Sequence, residues 1–409
     1  MRGEEMRKAL LITVGTGVGK DRERAVESLA RGIAYSIRVH NPEKVVFVTT
    51  EESERDTLPR VLREVELDNY EVRRLRDFSD IESIYEDVVS ILRELRDEGF
   101  ASEDIVVDYT SGTKAMSAGA AIAGALSEVE TLSYINGKRE GGIVVPGTEK
   151  LIPIRPYRIL IDGRLKTIRE LFNTHQFDAC LKLIRDLKTK TADSEVQEKL
   201  AYYEAVCSAY SAWDKFDHER AFEILRGVRG EFADNKRFLG MMLKSEDREP
   251  FLIADLLNNA ERRLQEGKYD DAVARLYRTM ELIAQYVLRK EYEIDSSDVD
   301  TWHLKALGVE RRVIEKYEAL RGEDGRIRLA LRQDYELLRD LGNELGQKFS
   351  EDNEMLDLLG RRNASILAHG LRPVSRDEAE KLLSRVEEYA RAVVGDLEGL
   401  RRQAEFQKL

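Results

Sequence analysis

From residue 8 to residue 155 the chain switches between two patterns. Short runs rich in apolar and β-branched residues appear at KALLITV (8–14), KVVFVT (44–49), YEVRRL (70–75), DIVVDY (104–109) and VETLSYI (129–135). Between them, apolar residues recur every three to four positions, as in ERAVESLARGIAYSIRVH (23–40) and IESIYEDVVSILRELRDEG (81–99). The first pattern predicts strands and the second amphipathic helices. Their alternation predicts a mostly parallel sheet with helices on both faces. LLITV and IVV are unbroken apolar runs, as strands buried on both sides require. GGIVV (141–145) and KLIPI (150–154) predict a closing hairpin around PGTE.

Beyond RPYRILIDG (155–163) the strand pattern stops. Residues 165–247 read as successive helices, and residues 250–409 as a further helical block. HQFDACLKLI and DKFDHERAFEIL resemble one another, which suggests stacked helix hairpins. The expected organisation is an α/β Rossmann-like domain at 1–160, an all-α linker domain at 161–248 and an all-α bundle at 249–409.

Composition narrows the class. With 42% hydrophobic and 35% charged residues over 409 positions, the chain has the make-up of a soluble multidomain protein. A net charge of −12 excludes a uniformly basic nucleic-acid binder, so any such contact needs a local basic patch. Two cysteines, Cys180 and Cys207, make neither a disulfide framework nor a metal motif. The LLITV run near the start is too short for a signal or a membrane span, so the expected location is cytoplasmic, away from membranes.

Two loops carry candidate chemistry. GTGVGK (15–20) follows the first strand, and DYTSGTKAMSAG (108–119) leads from the fourth strand into a small-residue helix. Both open at carboxyl ends of strands, where doubly wound sheets bind ligands. Glycines let backbone N–H groups approach an anion, and the hydroxyls of Thr16, Thr110, Ser111 and Thr113 can donate to it. Lys114 opposes the helix dipole at its position, which an anionic ligand would explain. GTGVGK is not a P-loop, because the pattern fails at Val14 and Asp21. A nicotinamide dinucleotide is the rival ligand, with Glu51 or Glu52 on a ribose. No catalytic substrate domain follows, however.

GTG after the first strand and DYTSGTKAM after the fourth resemble the CRISPR-associated Rossmann-fold (CARF) domain. That resemblance implies a homodimer whose sheet edges bind a cyclic oligoadenylate as allosteric activator. The implied contacts are Gly15, Thr16, Gly17, Thr110, Ser111, Gly112, Thr113 and Lys114, with Asn136 and Gly137 after the fifth strand. It also raises degradation of the activator by this domain, with Thr16, Thr113 and Lys114 as candidates.

The last of five histidines lies in GRRNASILAHG (360–370). On a continuous helix, Arg362 and His369 sit about two turns apart on one face, with a rise of ~10.5 Å. On helix statistics alone an ordinary helix end is the better account, since Gly370 and Pro373 stop the helix and a terminal histidine suits its dipole. Arg-Asn-x5-His in a helical bundle also resembles the HEPN ribonuclease motif, and YDDAVARLYRTMELIAQ (269–285) resembles the first long helices of that domain. CARF and HEPN domains share one chain in ancillary ribonucleases of type III CRISPR systems. The resemblance implies metal-independent cleavage of single-stranded RNA to 2′,3′-cyclic phosphate ends, with no cofactor. It implies His369 for proton transfer, Arg362 for transition-state charge and Asn363 for orientation. A non-catalytic sensor acting through a protein partner is the alternative.

Overall fold

The computed structural model describes residues 7–17, 21–140, 143–190, 193–230, 232–363, 365–367 and 370–409. It divides into two compact units, Met1–Thr167 with Lys188–Gln197, and Ile168–Leu187 with Glu198–Leu409.

The described residues of the first unit form eight strands: β1 (Ala9–Thr13), β2 (Lys44–Thr49), β3 (Tyr70–Arg74), β4 (Ile105–Asp108), β5 (Thr131–Asn136), β6 (Arg139–Glu140), β7 (Ile143–Val144) and β8 (Lys150–Ile154). The main sheet has the order β3-β2-β1-β4-β5-β8. Its first five strands are parallel and β8 closes it antiparallel. The expected hairpin between 141–145 and 150–154 does not form. KLIPI pairs with β5 instead, and β7 pairs with β6. KLIPI closes the sheet edge, where β5 otherwise has an unpaired side.

Alternate positions serve opposite faces, as the period of two demands. Leu11, Val46 and Val107 pack with Ile84, Val88 and Leu92 of the helix Ile81–Asp97 and Met116 and Ala120 of the helix Lys114–Leu126. Leu10, Ile12 and Phe47 pack with Ile33 and Ile37 of the helix Arg22–His40 on the other side. Each of these Val, Leu, Ile, Phe and Met side chains removed from water stabilises the unit by about 1.5–3 kcal/mol. The small residues of Lys114–Leu126 allow close approach: a Cβ on Gly119 would lie 2.6 Å from Ile84 Cγ2.

The second unit is helical. Trp213, Tyr210, Phe238 and Phe172 are fully buried in one part of it, and the Trp213 indole donates to Asp255 Oδ2 at 2.9 Å. The other part packs the helices Glu249–Gln265, Tyr269–Tyr292, Leu331–Asp340, Asn353–Asn363 and Arg376–Val393 around Leu276, Met280, Tyr335, Met355 and Tyr389. Tyr335 stacks on Phe349 at 4.1 Å between ring centroids. Ser375 caps Arg376–Val393 in a reciprocal box with Glu378.

Candidate functional site

In the first unit the strand order reverses between β1 and β4. The loops after these two strands are the ones singled out by sequence, and they meet. Ser111 is buried, and its hydroxyl accepts from Gly15 N at 2.7 Å. The Thr13 hydroxyl donates to Ser111 O. A Cβ on Gly15 would lie 2.4 Å from Gly112 N, so only glycine lets the two loops close. Gly112 has φ 120°, a left-handed value that favours glycine. Thr57 Oγ1 donates to Gly15 O at 2.7 Å and fixes the first loop from a third side. Gly17 is buried against Ala25, whose Cβ a substituent would meet at 2.6 Å.

The hydroxyls are less available than the sequence suggests. Thr113 caps the helix Lys114–Leu126 by accepting from Met116 N at 3.1 Å, and donates to Phe78 O at 3.1 Å. Thr110 Oγ1 donates to Asp108 Oδ1 and accepts from Ile135 N at 2.8 Å. Asp108 is itself buried. Its Oδ1 also accepts from Thr110 N at 2.8 Å, and its Oδ2 from Ser36 Oγ at 2.5 Å and Ser133 Oγ at 3.0 Å. His40 Nε2 lies 3.1 Å from Ser133 Oγ, and burial pushes its imidazole down. Asp108 is thus the anchor that shapes the loop from below.

Thr16 is half-buried and Lys114 exposed at the rim. Asn136 is exposed at the end of β5, where its side chain accepts from Gly137 N at 2.9 Å. Gly137 has a packing reason of its own, since a Cβ would lie 2.6 Å from Val144 Cγ1. The arrangement offers an anion a floor of backbone between two helix-leading loops, with Lys114 at its edge. Val18, Gly19 and Lys20 lie outside the described residues.

In the second unit, Arg362 stands in the last turn of Asn353–Asn363. Its guanidinium carbon is 4.3 Å from the centroid of the Tyr277 ring. Burial pushes up the carboxyl of Glu281, one turn beyond Tyr277; Arg278, 3.5 Å away, and then Arg362 pull it back in part. Behind them Asp334 is fully buried; burial and then the Glu281 charge push its carboxyl up to about 8. Arg361 is engaged elsewhere, with Asp357 at 2.8 Å and Glu378 at 2.9 Å. Glu378 is lowered to about 2, first by the Ser375 backbone N–H and then by Arg361. Arg361, Arg362 and Arg372 line one small cleft with Val374 and Leu382.

One geometric expectation is corrected. The continuous helix from 362 to 369 does not exist: the helix ends at Asn363, and Ser365–Leu367 form turns, with Ser365 N donating to Arg362 O at 2.9 Å. The chain leaves the helix earlier than the Gly370 and Pro373 signals place its end. The side chain of Asn363 and the whole of His369 lie outside the described residues. Tyr277, Glu281 and Asp334 were not singled out by sequence. The only signal was that Tyr277 and Glu281 share a face of YDDAVARLYRTMELIAQ at a spacing of four.

The other histidines have local partners. His303 Nε2 lies 2.7 Å from Tyr292 O, and His218 Nε2 lies 2.8 Å from Asp255 Oδ2. Cys180 and Cys207 are buried free thiols. A larger cavity of about 500 Å³ surrounds Arg262, Arg401 and Phe406. There the arginines are answered by Asp214 and Glu261 at 3.0 and 2.8 Å. Among the described residues no group of three or more His, Cys, Asp or Glu side chains is arranged for a metal ion, and no helix is long and apolar enough to cross a membrane.

Residues 162–247 match the family model of the Csm6 6H domain, and residues 244–393 match that of the Csm6 HEPN domain. The CRISPR system endoribonuclease Csm6 of Thermus thermophilus is 30% identical over 210 residues, which make up 49% of this chain and 43% of that protein. The match thus spans less than half the length of that relative. Enterococcus italicus Csm6, solved bound to cyclic hexa-2′-fluoro-hexa-dAMP, shares the fold with a TM-score of 0.61, over 97% of this chain and 98% of that one, at 17% identity. The resemblance read from the two motifs is borne out: a Rossmann-like α/β domain is followed by helices, and the carboxyl-terminal part matches the Csm6 HEPN domain.

Proposed function

We propose that this protein is an endoribonuclease of type III CRISPR defence, active as a homodimer and switched on by a cyclic oligoadenylate. The observation that carries the reading is the HEPN match over 244–393, which takes in Arg362, Asn363 and His369. The relative's name, an endoribonuclease, and the ligand in the solved structure support it.

The activator site comprises Gly15, Thr16 and Gly17 with Thr110, Ser111, Gly112, Thr113 and Lys114, and Asn136 and Gly137 beside them. Backbone N–H groups and the Lys114 ammonium face the phosphates. Ligand binding regulates cleavage to the extent that it binds the active and inactive states unequally.

Cleavage is metal-independent. A ribose 2′-hydroxyl of single-stranded RNA attacks the adjacent phosphorus, and the 5′-oxygen of the next nucleotide departs. The products are a 2′,3′-cyclic phosphate and a 5′-hydroxyl. His369 moves the proton. Arg362 stabilises the charge that grows on the phosphoryl oxygens, and Asn363 orients His369 or a phosphate. Self-cleavage of the activator falls to Thr16 and Lys114, because the Thr113 hydroxyl is already used twice.

The test is cleavage of a labelled single-stranded RNA with cyclic tri-, tetra- and hexa-adenylate, for the parent, His369→Ala and Arg362→Ala. The reading expects activation by one ring and loss of about 10²–10⁴-fold in the variants. An inert protein with every ring, while a ring still binds, favours the sensor that acts through a protein partner.

A further inference from the structure

The chain from Arg361 to Arg372 carries Arg362, Asn363 and His369, and one side chain outside it holds both of its ends. Arg361 Nη1 donates to Glu378 Oε1 at 2.9 Å, and Arg372 Nη2 donates to the same oxygen at 2.8 Å. Arg361 belongs to the last turn of Asn353–Asn363, and Arg372 to the irregular stretch that leads into Arg376–Val393. Inside the span Ser365 is buried, and Gly370 N donates to Ser365 O at 3.2 Å.

Glu378 is built to be a fixed point. It stands in the first turn of Arg376–Val393, whose Ala379, Leu382 and Val386 are anchored in the core. Its other oxygen, Oε2, accepts from Ser375 N at 3.0 Å and from Ser375 Oγ at 2.9 Å. Two donors at the helix start therefore set the carboxylate by themselves, and little side-chain freedom is left to lose when the arginines bind it. The carboxyl, lowered to about 2, stays charged at neutral pH. Its side chain is 14% exposed, but those of Arg361 and Arg372 are 45% and 60% exposed. Ion pairs so open to water add little to global stability. They do fix where a turn-rich segment sits, and an error of about 1 Å in a catalytic group costs roughly 10²-fold in rate.

We infer that Glu378 is a positioning residue for RNA cleavage: by holding Arg361 and Arg372 on one oxygen it fixes both ends of the segment that carries Arg362, Asn363 and His369. This role rests on the reading of those three as the catalytic residues. Glu378 acts through the chain and not on the reacting atoms.

The experiment measures kcat and KM for cleavage of a labelled single-stranded RNA by the full chain, with cyclic tetra- and hexa-adenylate both saturating. Glu378→Gln keeps the length and the helix cap but loses the charge that holds the arginines, and it lowers kcat by about 3- to 30-fold with KM unchanged. Arg372→Gln does the same, whereas Arg372→Lys, whose ammonium can still make the single bond to Glu378, stays within about threefold of the parent. Where urea midpoints show Glu378→Gln to fold poorly, the two Arg372 variants decide alone. The double variant of Glu378→Gln and Arg372→Gln loses no more than the worse single one, because both break one clasp. Ser375→Ala removes the hydroxyl cap, leaves both arginine bonds and lowers only the urea midpoint, which separates the clasp from helix stability. The role is refuted if Glu378→Gln and Arg372→Gln cleave as the parent does, if their losses multiply in the double variant, if Ser375→Ala loses as much kcat as Glu378→Gln, or if the losses appear in KM alone. A parental rate for both Arg362→Ala and His369→Ala instead sinks the catalytic reading, and this role with it.

Discussion

Asp334 is a carboxyl group in an apolar interior, and replacing it with Asn should make the protein less sensitive to alkali. The side chain is fully buried, on the helix Leu331–Asp340 behind Tyr277 and Glu281. Burial is the main cause that pushes its carboxyl up to about 8, and the Glu281 charge adds to it; Ser296 and Arg278 pull it back only in part. In the unfolded chain the same group titrates near 3.9. Between these values the folded protein holds a proton that the unfolded chain has released. Its stabilising effect is therefore fully present below about pH 4 and is lost as pH rises towards 8. The limiting slope is about 1.4 kcal/mol per pH unit, so roughly 2–3 kcal/mol disappears between pH 5 and pH 7. Asp334→Asn lacks this term. Urea denaturation of parent and variant at pH 5, 6 and 7 gives the difference at each pH, in which groups common to both cancel. The difference should move by ~2–3 kcal/mol in favour of Asn over that range. A flat difference, or one that moves towards the parent, would refute a buried neutral carboxyl at this position.

Other outcomes follow from particular contacts. Gly15→Ala places a Cβ 2.4 Å from Gly112 N, a backbone atom that cannot step aside. It should cost about 1–3 kcal/mol in a thermal or urea melt and abolish binding of cyclic adenylates in a titration. Asp255→Ala leaves the Trp213 indole N–H and His218 without their carboxylate and the buried Arg262 with Asp214 alone, and should cost about 3–5 kcal/mol by urea midpoint. Lys114→Ala should weaken activator binding and flatten its dependence on salt, read by titration at two ionic strengths, with the fold intact because the residue is exposed.

The sequence by itself determined the class of each part. The unbroken run LLITV predicts a strand buried on both faces, and β1 is one; the three-to-four spacing of 81–97 predicts an amphipathic helix, and it forms one. GTG and DYTSGTKAM each announced a loop at a strand's carboxyl end, because glycines and small hydroxyl residues there answer local backbone demands. Local chemistry also carried the resemblance to the Rossmann-like and HEPN domains. What the sequence left open was every relation between distant residues. Only the folded chain makes Gly15 a glycine on account of Gly112, gives the Thr113 hydroxyl to Phe78, and draws KLIPI onto β5 in place of a hairpin. The helix expected to run through residue 369 ends at Asn363, because helix ends depend on what the last turn packs against as much as on capping residues. Tyr277 and Asp334 are remote in sequence from Arg362. Neither was singled out, although Tyr277 lies in YDDAVARLYRTMELIAQ; what brings Tyr277 to Arg362 and buries Asp334 is supplied by the tertiary structure alone.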